Sequence, residues 1–226
     1  MKRRYLVLSS GEAFEGFAFG ADASAIGELV FTTNMVGYLE TLTDPSYCGQ
    51  IILQTFPMIG NYGVIPDDFE GRCLARGYVV REWCELPSNF RSEGTVDAFL
   101  RERGVPGIYG VDTREITRLL REKGVANAML CDEIPGNLAE IAAWRIDNAV
   151  AAASGGGRRA FPAEDERFRV ALIDYGAKRG ILRALNRRGC TVNLFPNDTP
   201  AEEILAGGFD GLMLGNGPGD PLEATI

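Results

Sequence analysis

The sequence contains no histidine. That absence removes imidazole from every chemistry that needs it, including triads in which a ring nitrogen activates a serine or thiol, and His-ligated zinc sites. Cysteine is sparse and scattered. Cys48, Cys73, Cys84, Cys131 and Cys190 are odd in number and form no C-x-x-C pair, so neither a disulfide framework nor a metal site is indicated. They read as reduced thiols serving as small apolar side chains. Positive charge is in deficit, with 23 Lys and Arg against 31 Asp and Glu and a formal net charge of -8. A surface of that sign repels phosphate backbones and anionic lipid, which sets aside nucleic acid and membranes as partners. Long hydrophobic runs are missing as well. A short apolar run follows Met1-Lys2-Arg3-Arg4, but Ser9, Ser10, Gly11 and Glu12 end it, so no export signal or membrane span is expected and the cytoplasm is the expected location.

What remains is a chain of 226 residues that is 46% hydrophobic and 24% charged, a balance that supports a packed core. One composition shift divides it. Residues 151–167 begin with small residues and Gly155-Gly156-Gly157, then turn charged without periodicity, which predicts a linker between residues 1–150 and 168–226. In the first part, residues 5–8, 28–33, 50–55 and 75–80 read as strands. Helices are expected at 95–103, from the capping box Asp112-Thr113-Arg114-Glu115 to Gly124, and over 138–152 with Ile141, Trp144 and Ile146 turned inward. The expected fold class there is α+β.

After the linker the rhythm becomes β-α-β-α-β. Residues 169–174 are a continuous apolar strand of the kind buried on both faces, followed by a helix over 178–188 and a strand over 191–195. Thr199-Pro200-Ala201-Glu202 predicts a capping box opening a second helix, and 209–214 a third strand. This is the opening of an α/β doubly wound parallel sheet. It holds fewer residues than the ~100 such a domain usually needs, so the sequence is expected to be cut inside it.

The sharpest local signal is Gly215-Asn216-Gly217-Pro218-Gly219-Asp220-Pro221, at the carboxyl end of the last strand, where parallel sheets bind ligands. Gly217 and Gly219 are expected to turn with positive φ and let the backbone approach a ligand, so that successive N–H groups could hold a carboxylate or developing oxyanion. From spacing alone, a ligand cradle and an ordinary tight turn fit this loop equally well. The turn Asp174-Tyr175-Gly176-Ala177-Lys178 reads as a plain strand-to-helix connection. Thr43-Asp44-Pro45-Ser46-Tyr47 reads as a turn with Ser46 at its polar tip. Cys190 lacks the strained elbow that a nucleophile uses.

In series these segments resemble a known family. Asn34-Met35-Val36-Gly37-Tyr38, Thr43-Asp44-Pro45-Ser46-Tyr47, Pro57-Met58-Ile59-Gly60-Asn61-Tyr62-Gly63 and Pro87-Ser88-Asn89-Phe90-Arg91 are similar to motifs of the small, glutamine-hydrolysing subunit of carbamoyl phosphate synthetase. Gly110-Val111-Asp112-Thr113-Arg114-Glu115 and Leu214-Gly215-Asn216-Gly217-Pro218-Gly219-Asp220-Pro221 continue the series in the family's order. The resemblance implies a subunit-specific first domain that helps bind the large subunit, followed by the start of a class I glutamine amidotransferase domain. It implies glutamine as substrate, with Ser46, Gly217 and Gly219 at the glutamine site and an oxyanion role for Gly217. No cofactor is expected in this chain; ATP and magnesium are expected in the large subunit, which makes carbamoyl phosphate for arginine and pyrimidine synthesis. The family's Cys-His-Glu triad would lie beyond Ile226, so no catalytic residue is expected here and the chain alone should be inactive. The alternative is a docking or ligand-binding module without chemistry. Val36, Leu39 and Gly180 depart from what the family often has at those places.

Overall fold

The computed structural model describes residues 1–220; Pro221 of the glycine loop and the end of the expected second domain lie outside the described residues. By packing, the chain divides into two compact units. The first comprises Met1–Thr43, Gly49–Phe69 and Cys73–Ile146; the second comprises Asp44–Cys48, Glu70–Arg72 and, among the described residues, 147–220.

The first unit is built on nine strands: β1 (Arg3–Leu8), β2 (Ala13–Gly20), β3 (Ala25–Thr32), β4 (Gln50–Gln54), β5 (Met58–Ile59), β6 (Gly77–Val79), β7 (Glu82–Trp83), β8 (Pro106–Tyr109) and β9 (Ala126–Cys131). Seven of them close into a barrel in the order β1-β2-β8-β6-β4-β3-β9, while β5 and β7 pair separately. Closure removes the exposed edges that an open sheet would present. The helices are α1 (Tyr38–Leu42), α2 (Val96–Glu102), α3 (Thr113–Lys123) and α4 (Ala139–Ala143). Ile116 and Leu120 of α3 join Leu6, Leu8, Leu29, Ile51, Leu53, Val79, Ile108 and Leu130 in one buried cluster. Each fully buried side chain of that size contributes about 1.5–3 kcal/mol. Arg4 is wholly buried, its Nε donating to Asp132 (3.1 Å) and its Nη1 to the carbonyls of Ala21 (3.2 Å) and Gly107 (3.3 Å). A buried guanidinium persists only with such partners.

The predicted capping at Asp112 is observed from the carboxylate side: its Oδ1 accepts from the backbone N–H of Arg114 (3.1 Å) and Glu115 (3.0 Å). The expected single helix over 138–152 is instead two short ones, α4 and, in the second unit, α5 (Ala149–Ala153). Trp144 is extended, and Asn148 takes a left-handed conformation that favours Asn over most residues. The Trp144 carbonyl, freed from the helix, accepts from Asn127 Nδ2 at 2.9 Å.

The second unit holds α5, β10 (Arg159–Phe161), β11 (Phe168–Asp174), α6 (Arg179–Asn186), β12 (Cys190–Pro196), α7 (Ala201–Ala206) and β13 (Gly211–Leu214). Residues 151–167, expected to run as a linker without regular structure, therefore carry helix and strand. The charged stretch can do so because β10 is an edge strand, paired antiparallel to β12 alone. The sheet order is β10-β12-β11-β13, with β11 parallel to both neighbours. Ala171 and Ile173 pack with Ile204 of α7, whereas Leu172 packs with Leu182 and Leu185 of α6. The two helices thus cover opposite faces, which is why β11 is apolar at consecutive positions. The Thr199 capping box is not formed. Pro200 occupies the N-cap without a side-chain hydrogen bond, and the backbone N–H of Thr199 turns back to the Pro196 carbonyl at 3.1 Å.

Candidate functional site

The central strand of the parallel set is β11, and the chain leaves it first for β12 on one side and later for β13 on the other. The loops following β11 and β13 therefore emerge side by side, at the crevice where open α/β sheets hold ligands. Asp174, at the end of β11 and only 4% exposed, organises the first loop. Its Oδ1 accepts from Gly176 N (3.0 Å) and Ala177 N (2.9 Å), and its Oδ2 accepts from Gly155 N (2.8 Å), with the Arg159 guanidinium 3.7 Å away.

The second loop is pressed against the first. A Cβ on Gly217 would stand 2.2 Å from the Tyr175 carbonyl oxygen, so only glycine fits. Gly217 is not in the left-handed region, which corrects the expectation of positive φ there; its requirement is close approach. Gly219 does have positive φ, at 80°. Both glycines are exposed at the loop surface.

The turn Asp44–Cys48 belongs by packing to this same unit. Asp44 Oδ1 accepts from Ser46 N at 2.9 Å, capping the 3₁₀ turn Pro45–Tyr47, and its other oxygen pairs with Lys178, the residue before α6. Asn216 Nδ2 then donates to Ser46 Oγ at 3.0 Å across 170 residues of sequence. Ser46 and the glycine loop, two of the sequence-derived features, are thereby brought together. Burial, and then the neighbouring Asp44 carboxylate, push the Tyr47 phenol above its usual range. Burial likewise raises the Cys48 thiol, against the opposing pull of Arg72. A thiol so placed is less of a nucleophile. Cys190 opens β12 at the amino end of the parallel sheet, opposite the crevice.

Three further contributors were not singled out by sequence. Asn216 sits within the glycine loop, and its tie to Ser46 has no local signal. Asp174 lies in a turn that reads as a plain connection. Glu70 accepts from Gly180 N through Oε2 (2.7 Å), while its carbonyl accepts from Arg179 N (2.9 Å), so it caps α6 from a distant segment. Lys178, the local N-cap residue, makes no side-chain capping bond to the helix. A Cβ at position 180 would lie 2.8 Å from Glu70 Oε1, so a larger residue there would displace the carboxylate. The crevice thus offers a hydroxyl, a carboxamide and exposed backbone beside a glycine loop. It suits gripping a small polar ligand, and the sequence has no imidazole with which to deprotonate a thiol.

Comparison with known proteins fits this division. Residues 6–130 match the family model described as carbamoyl-phosphate synthase small chain, CPSase domain, and residues 171–226 match glutamine amidotransferase class-I. The carbamoyl phosphate synthase small chain of Listeria monocytogenes is 48% identical, with 99% of this chain and 62% of the relative covered. Those of Bacillus caldolyticus and Fusobacterium nucleatum are 45% and 48% identical, covering 98% and 99% of this chain and 62% and 63% of theirs. The chain therefore spans somewhat over three-fifths of the length of these curated relatives. With its first family match covering more than half of its residues, the chain belongs to the carbamoyl-phosphate synthase small chain family.

Proposed function

We propose that this chain supplies the glutamine-gripping part of an amidotransferase site that delivers ammonia to the large subunit of carbamoyl phosphate synthase. In this reading Ser46, Gly217 and Gly219 line the glutamine pocket, and the backbone N–H of Gly217 faces the oxygen that becomes anionic when the amide is attacked. The single observation that supports it best is the Asn216–Ser46 hydrogen bond, which joins the Ser46 turn to the glycine loop at the sheet's switch point. Amide hydrolysis by a thiol needs a base to take the thiol proton. With no histidine present, these residues bind and orient while a thiol–imidazole pair comes from elsewhere. ATP and magnesium serve the large subunit's chemistry, in the cytoplasm, and this chain contributes no cofactor. The sheet would be the opening of a class I amidotransferase domain.

Titrating ¹⁵N-labelled chain with glutamine tests the reading. The amides of Ser46, Asn216, Gly217 and Gly219 should shift together, those of β1 and β9 should not, and no glutamate should be released. Glutamine that moves none of the four, or glutamate appearing at an enzymatic rate, overturns it.

A further inference from the structure

We infer that Asn216 is a positioning residue that turns Ser46 into a hydrogen-bond donor aimed at an oxygen of the bound amino acid. This rests on the glutamine reading of the site. A serine hydroxyl has one proton and two lone pairs. Asn216 Nδ2 donates into one lone pair of Ser46 Oγ, so the hydroxyl proton must point elsewhere. Asp44, the carboxylate on the same turn, does not take it: Oδ1 accepts from the Ser46 backbone N–H and Oδ2 pairs with Lys178. Among the described residues no acceptor receives the Ser46 hydroxyl proton. A ligand oxygen, from a carboxylate or a carboxamide, is the partner that the free hydroxyl proton selects. Asn216 Oδ1 is itself buried and without a hydrogen-bond partner among the described residues. The Ser46 contact is thus the one hydrogen bond of this amide among the described residues. Neighbouring geometry keeps the pair in register: on either side of Asn216, Gly215 abuts the end of β11 and Gly217 the loop after it, with Cβ positions 2.7 Å from the Ile173 oxygen and 2.2 Å from the Tyr175 oxygen.

Asn216→Asp tests this, because it keeps shape but replaces the donor with an acceptor that captures the Ser46 proton. Glutamine affinity of the full chain should fall roughly ten-fold in Asn216→Asp and in Ser46→Ala, and the double variant should be no weaker than either alone. A merely structural asparagine predicts instead that Asn216→Asp binds like the parent or that the two losses multiply; either result overturns the inference. Thermal midpoints of all variants, matched to the parent, show that folding is intact. A parent chain that does not bind glutamine defeats the functional reading separately. In that event the exchange rate of the Asn216 side-chain NH₂ protons still decides the pairing: acceleration in Ser46→Ala supports it, and an unchanged rate overturns it.

Discussion

Replacing Gly180 by alanine sets two effects of similar size against each other. Gly180 is the second residue of α6, and alanine there should gain up to ~1 kcal/mol from helix propensity. The added Cβ, however, would stand 2.8 Å from Glu70 Oε1, and the carboxylate would have to leave Gly180 N, which it now holds at 2.7 Å. Losing a carboxylate from a helix N-terminus costs about 1 kcal/mol. Gly180→Ala alone should therefore change stability by less than ~0.5 kcal/mol. In a Glu70→Ala background no cap remains to be displaced, and the same substitution should stabilise by the full ~1 kcal/mol. Two compact units make a single global unfolding energy ill defined, so the readout is native-state hydrogen exchange of α6 amides such as Arg187 N, which bonds the Arg183 carbonyl at 3.0 Å. An equal gain from Gly180→Ala in both backgrounds would show that Glu70 is not the cap.

Other outcomes follow from the same geometry. Asp174→Asn retains one acceptor oxygen where two now serve three backbone N–H groups, and should cost about 3 kcal/mol locally; faster exchange at Gly155, Gly176 and Ala177 would show it, and unchanged rates would count against the hub. The Glu12 carboxyl, bonded first by Lys123 and then by Ser10, is held down at about 2 against an ordinary 4.5. Its folded value lies below the unfolded one, so the stabilisation is in place above about pH 4.5 and is lost as pH falls toward 2. A side-chain ¹³C titration of Glu12 should report this, and Lys123→Ala should bring the midpoint back up. Arg4→Met should destabilise the barrel by about 2–3 kcal/mol, less than a wholly buried pair would cost because Asp132 is 33% exposed; a urea midpoint equal to the parent's would refute that role.

Much of this architecture can be read from the residues because period and capping agree. The consecutive apolar positions of β11 announce a strand covered on both sides, and Asp112 announces α3. The barrel is harder. β2 is rich in Gly and Ala, β8 opens on Pro106, and β9 contains Ala126 and Ala128, so none carries the β-branched signal; their strand identity comes from partners far along the chain. At the crevice, the glycine loop and Ser46 stand out as residue types. Asn216 and Glu70 do not, since their side chains matter through contacts at sequence separations of 170 and 110.

That separation sets a timetable for the growing polypeptide. Glu70 emerges from the ribosome 110 residues before the amide it will cap. At ordinary translation speeds the gap is roughly 5–20 s. Within that interval β9 completes the set of barrel strands, while the amide that the Glu70 carboxylate will cap has still to be made.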